Sequence, residues 1–124
     1  MSEGKQFGLP RSSRLITNRE FRAVYRRGSR ARGRNMTVVA MRRRQPGHRV
    51  GLSVSKSHGP AVRRNKIKRL LREAFRLERP GLPGNFDVIL IPQARPRYAL
   101  EELREELVRH LRTLAQRRGE RRRR

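Results

Sequence analysis

The stretch that most narrows what this chain can fold into is Ser53–Arg76, SVSKSHGPAVRRNKIKRLLREAFR. On a helical wheel of about 100° per residue, Ile67, Leu70, Leu71, Ala74 and Phe75 fall on one side, at i, i+3, i+4, i+7 and i+8. Asn65, Arg69, Arg72 and Arg76 fall within about 60° of one another on the opposite side, with Lys68 beside them. The apolar side must be buried against another layer, so the spacing predicts a helix packed on a sheet. The cationic side is the unusual part. A solvated face normally mixes signs, yet Glu73 is the only acid between Arg63 and Arg76. Like charges at i, i+4 destabilise an isolated helix by ~0.2–0.5 kcal/mol per pair, so this face is costly without a polyanion.

The remaining segments supply the layer. Thr17–Arg27 places Phe21, Val24 and Tyr25 at helical spacing, with Thr17 or Asn18 as a cap and Gly28 as a stop. Met36–Met41 is a short β-branched apolar run and predicts a strand, after a basic stretch over 29–35 that could hold another short one. Val50–Ser55 alternates as a half-buried strand does, and Phe86–Ile91 is a nearly continuous apolar strand central to the sheet. Pro60 opens the basic helix, which runs to about Arg79 before Pro80-Gly81-Leu82-Pro83-Gly84 stops it. Tyr98–Gln116 predicts a last helix with Leu100, Leu103, Leu107, Leu111 and Leu114 in one stripe. Its four early glutamates suit the helix dipole. The fold class is α/β: a small mixed sheet with helices packed on it and the other sheet face partly open. Residues 14–116 form one domain, between a basic arm at 1–13 and an Arg-rich disordered tail at 117–124.

Composition then limits the partners. The chain has 124 residues, with 34 Lys or Arg against 10 Asp or Glu, for a net charge of +24. Charge of this size repels itself unless a polyanion neutralises it. Residues 1–97 alone carry 25 basic and 5 acidic side chains. Thirty of the 34 cations are Arg, a ratio that coding bias accounts for; the net charge it does not explain. Nucleic acid is therefore the leading partner and a membrane surface the second. No apolar run approaches the ~20 residues that cross a bilayer, and no signal-peptide segment precedes the domain. The absence of cysteine excludes a disulfide scaffold, a zinc finger and a thiol nucleophile, and a cytoplasmic protein is expected.

Arg64-Asn65-Lys66-Ile67-Lys68-Arg69-Leu70-Leu71-Arg72, preceded by Gly59 and Ala61-Val62, resembles the signature of the bacterial ribonuclease P protein family. The resemblance extends to Phe21-x-x-Val24-Tyr25-x-x-Gly28, to Gly51-Leu52-Ser53-Val54-Ser55-Lys56, and to Phe86-Asp87-Val88-Ile89 with Arg95. It covers roughly residues 14–115. It implies a small α/β sandwich with a left-handed βαβ crossover. It also implies a protein that binds the catalytic RNA of ribonuclease P and the 5′ leader of precursor tRNA, promoting endonucleolytic removal of that leader. By the same likeness Lys56, Arg63, Arg64, Asn65, Lys66, Lys68, Arg69, Arg72 and Arg76 meet RNA. The leader cleft takes Phe21, Tyr25, Met36, Val39, Ser53 and Ser55. Family members often carry aromatics where this chain has Met36 and Val39, and a second basic residue where it has Ser57. Base stacking, worth ~1–3 kcal/mol per base, then falls to Tyr25 or Tyr98.

A protein-only nuclease is disfavoured. General acid–base cleavage needs two titratable groups flanking the phosphate, and nothing in the spacing pairs His48, His58 and His110. Two-metal cleavage needs clustered carboxylates, but Asp87 is the lone Asp. No Walker loop or dinucleotide fingerprint is present. The protein is expected to bind no cofactor and no small-molecule substrate, and Mg²⁺ is expected in the holoenzyme, held mainly by RNA. A structural RNA-binding protein of ribosomal type shares the charge, but has no reason for a leader cleft beside the basic helix.

Overall fold

The computed structural model describes residues 9–123, with side chains through Arg117. In chain order the elements are α1 (Asn18–Arg27), β1 (Ser29–Arg32), β2 (Met36–Arg42), β3 (Arg49–Leu52), α2 (Ala61–Glu78), β4 (Phe86–Pro92) and α3 (Leu100–Arg123). The four strands form one mixed sheet in the order β1-β2-β4-β3. β3 and β4 are parallel and joined through α2, while the other pairs are antiparallel. Central position explains why β4 is apolar almost throughout: it is covered on both faces.

Side-chain alternation splits the interior in two. Met36, Val38 and Ala40 of β2, Val88 and Leu90 of β4 and Val50 of β3 meet Ile67, Leu71, Ala74 and Phe75 of α2. The α3 stripe Leu103, Leu107, Leu111 and Leu114 closes the same core. The residues of opposite parity, Val39 and Ile89, meet Leu15 and Val24 of α1 in a smaller cluster. Two helices therefore cover one sheet face, and α1 covers part of the other.

Several boundaries differ from the sequence expectation. β3 ends at Leu52 rather than Ser55, because Lys56–His58 turns as a 3-10 helix into Gly59, whose φ of 118° is open to glycine but strained for other residues. Pro60 caps α2 instead of opening it. α3 starts at Leu100 and its backbone is described as far as Arg123, past Gln116. Of the expected arm, residues 1–8 lie outside the described residues, while Leu9 and Ser13 are buried against the domain.

A buried polar contact fixes the β1–β2 hairpin. Glu106 of α3 accepts hydrogen bonds from the backbone N–H of Asn35 at 3.0 Å and Met36 at 3.3 Å, and lies 3.2 Å from His110 Nε2. Gly33 is required beneath it, since a Cβ there would come within 1.9 Å of Glu106 Oε1.

Candidate nucleic-acid interface

The outer face of α2 bears the expected cations, in three different states. Asn65, Lys66, Arg69 and Arg72 are exposed and Lys68 is half-buried, and none of the four cations among them has a carboxylate partner among the described residues. Arg63 is committed elsewhere. Its Nε donates to the His58 carbonyl at 2.8 Å, and its Nη1 and Nη2 donate to the carbonyls of Pro96 and Arg95 at 3.2 and 2.6 Å. It clamps the start of α2 to the loop after β4. Arg76 donates through Nε and Nη2 to Glu73, at 2.9 and 2.7 Å, in an ion pair on the helix surface. Arg64 is half-buried and donates to the Gly59 carbonyl at 3.2 Å.

One cation escaped the sequence reading. The strap before α1 runs beside the edge of β3, with Leu15 N–H donating to the Val50 carbonyl at 2.9 Å. It brings Arg14 to α2. Partial burial, then the nearby charges of Arg14 and Arg69, push the Arg72 guanidinium below its ordinary pKa. Repulsion of that kind is relieved when an anion arrives. Arg14, Lys68 and Arg72 line a cleft of about 240 Å³ with Leu15, Ile16, Phe21 and Gly51. Nothing in the local spacing signals Arg14, which stands 58 residues from Arg72.

On the α1 side, cross-strand register arranges the sheet in rows. Arg30, Val39 and Ile89 form the row beneath α1, with Gly51 at its β3 end. A Cβ on Gly51 would come within 2.6 Å of the Phe21 ring, so glycine lets that ring lie directly on the sheet. The next row, Arg32, Thr37 and Ile91, runs alongside α1. Thr37 and Ile91 are half-buried, and Ser53 continues the ladder by donating its N–H to the Leu90 carbonyl at 3.0 Å. Phe21 and Tyr25 are half-buried on α1, and Ser55 and Lys56 are exposed in the turn after β3.

The strip between α1 and this row corrects two expected cleft residues. Met36 is fully buried and belongs to the opposite face, among the α2 and α3 side chains. Val39 is on the α1 face but wholly covered. The β2 position that borders the strip is the half-buried Thr37, one residue from Met36, and a shift of one residue in a strand changes the face.

An ion-pair node holds the wall of the strip. Thr17 and Glu20 form a capping box at the start of α1, and Arg49 Nη1 donates to Glu20 Oε2 at 2.9 Å. Arg49 also donates through Nε and Nη2 to both oxygens of the buried Asp87, at 2.7 and 2.8 Å. Hydrogen bonds from the backbone of Thr17 and Ile16, and then the Arg49 charge, hold the Glu20 carboxyl below its usual range.

The histidines lie apart. His48 is buried, accepts from Phe86 N–H on Nδ1 at 3.1 Å, and stacks on the Phe86 ring. His58 offers its carbonyl to Arg63. His110 is beside Glu106, but that pair is buried under the Gly33 turn, where no substrate phosphate reaches it. Among the described residues no group of three His, Asp or Glu side chains could hold a metal ion. The arrangement suits holding a phosphate backbone, with the chemistry supplied from elsewhere.

Known proteins share both sequence and fold. The family model described as Ribonuclease P matches residues 9–117. The ribonuclease P protein component of Oleidesulfovibrio alaskensis is 42% identical over 89 residues, covering 70% of this chain and 71% of that protein. The corresponding protein of an Exiguobacterium species is 39% identical over 99 residues, covering 80% and 87%. Among solved structures, the RNase P protein from Thermotoga maritima superposes with a TM-score of 0.72 at 30% identity, covering 79% of this chain and 94% of that one. A Staphylococcus aureus RNase P protein gives 0.69 at 29% identity, covering 82% and 94%.

Proposed function

The chain belongs to the ribonuclease P protein family, and from that membership we propose how its surfaces divide the work. It is the protein component of ribonuclease P, the ribonucleoprotein that removes the 5′ leader of precursor tRNA, with the RNA subunit doing the chemistry. The ledge of Asn65, Lys66, Lys68, Arg69 and Arg72 meets that RNA, joined by Arg14. The strip along α1, with Phe21, Tyr25, Thr37, Ile91, Ser53, Ser55 and Lys56, receives the leader of the precursor tRNA.

The observation that carries this reading is the unpaired cation row on α2 opening directly into a cleft lined by its own Lys68 and Arg72. Cations in a row release counterions from RNA and hold a strand by its backbone, which serves leaders of any sequence. The stacking surface is small: Phe21 and Tyr25 are the aromatics on the strip, so leader binding leans on phosphate contacts more than on bases. Mg²⁺ held by ligands of the RNA would supply the activated water and the stabilisation of charge at the cleaved phosphate. The protein adds cation density next to that site and positions the leader.

Reconstitution tests the reading. The purified chain is added to ribonuclease P RNA at low Mg²⁺, and cleavage of precursor tRNA is followed. Cleavage is expected only when protein and RNA are both present. Cutting by the protein alone points to an autonomous nuclease, and RNA binding without restored cleavage points to a purely structural protein; either result overturns the proposal.

A further inference from the structure

Two cations at the β1 end of the strip have no role in the function proposed above. Arg30 and Arg32 are paired opposite Val39 and Thr37, so both project from the sheet face that carries the strip. Both are exposed, and among the described residues neither has a carboxylate within ion-pair distance. The Arg30 guanidinium lies 5.7 Å from the centre of the Tyr25 ring, which holds it over the wall of the strip. Charged side chains on an edge strand also discourage pairing with another chain, and β1 is an edge. Either sign achieves that, however, whereas both charged positions of β1 are arginines.

We propose that the leader crosses the strip from the α2 ledge to the β1 edge, and that Arg30 and Arg32 hold phosphates of its distal nucleotides. The path spans three strand spacings, about 14 Å. A long leader reaches the edge and a short one stops on the strip. The inference rests on the ribonuclease P reading and adds to it a direction and an exit.

The experiment uses the reconstituted holoenzyme and precursor tRNAs whose leaders lengthen one nucleotide at a time. With the wild-type protein, affinity rises with leader length to a plateau. In the double variant R30Q/R32Q the last increments disappear, while precursors with the shortest leaders bind as before. For long leaders the plot of log affinity against log salt becomes shallower by about 1.4, two phosphate contacts at ~0.7 each for single-stranded RNA. A loss that is equal at every leader length overturns the path, since the arginines then meet the tRNA body or the catalytic RNA. Full retention at every length overturns it too, leaving a solvated edge. If the wild-type protein promotes cleavage of no precursor at all, the ribonuclease P reading itself has failed, which is a distinguishable result.

Discussion

Arg49 grips Asp87 of the neighbouring strand through two parallel hydrogen bonds, Nε to Oδ1 at 2.7 Å and Nη2 to Oδ2 at 2.8 Å. The Asp87 side chain is only 4% exposed, and its remaining cation, Arg43, approaches Oδ1 at 3.4 Å. Removing one partner of a buried pair leaves a charge without compensation. Arg49→Met is therefore expected to cost about 3 kcal/mol, the low end for such pairs because Arg43 remains. Urea unfolding measures it as a lower midpoint. Glu20 loses its tether in the same variant, so leader-dependent affinity should fall as well.

Met36 and Thr37 are adjacent but face opposite layers, and their variants should separate accordingly. Met36→Ala opens a cavity in the larger core and is expected to cost ~2–5 kcal/mol of stability. Thr37→Glu puts a negative charge beside the leader. It should weaken binding of precursor tRNA while leaving mature tRNA, which lacks the leader, unaffected. If Met36→Ala leaves stability intact and Thr37→Glu leaves precursor binding intact, the assignment of faces is wrong.

Arg63 and Arg69 stand six residues apart on one helix, yet only Arg63 is tied to backbone carbonyls. Arg69→Ala should lower affinity for the catalytic RNA and make its salt dependence shallower by about 0.9, without moving the thermal transition. Arg63→Ala removes donors from three carbonyls, each bond contributing ~0.5–1.5 kcal/mol, so its thermal transition should drop. An unchanged melting temperature for Arg63→Ala would leave it among the RNA contacts.

Gly33→Ala tests the contact between hairpin and helix. The new methyl group would come within 1.9 Å of Glu106 Oε1 and 2.4 Å of His110 Nε2, both buried. Overpacking of this kind costs ~1–3 kcal/mol. Thermal denaturation is the check, and a variant as stable as the wild type would show that α3 can shift away.

Stability should decline on acidification in two stages. Burial, and then the charges of Arg79 and Arg43, push His48 below its ordinary value of 6.5. The unfolded chain then takes up a proton before the folded one does, so the His48 contribution is complete above about 6.5 and is lost as pH falls through the folded value. Glu20, also lowered in the fold, contributes above its ordinary 4.5 and loses that contribution at more acid pH. His48→Gln should flatten the first stage and spare the second in melts between pH 8 and 2.5. A wild-type stability that rises as pH drops below 6.5 would contradict this assignment.

Local periodicity alone specified both sides of α2, the leucine stripe of α3 and the apolar run of β4, because each depends only on residues within a turn or a strand of one another. The signature around Asn65 identified the family for the same reason. Contacts across the sequence were not legible. Arg63 bonds to carbonyls 32 and 33 residues away, and Glu106 to N–H groups some 70 residues away. Asp87, in the sequence the lone Asp and a member of the Phe86–Ile89 run, becomes the anchor of Arg49 once β3 and β4 lie side by side. Cation spacing showed that α2 is basic, but only packing decided that Arg63 and Arg76 are already engaged while Arg14 joins the ledge. The face of Thr37 likewise depends on strand pairing. Sequence spacing sets which side chains share a face, and tertiary structure sets what that face meets.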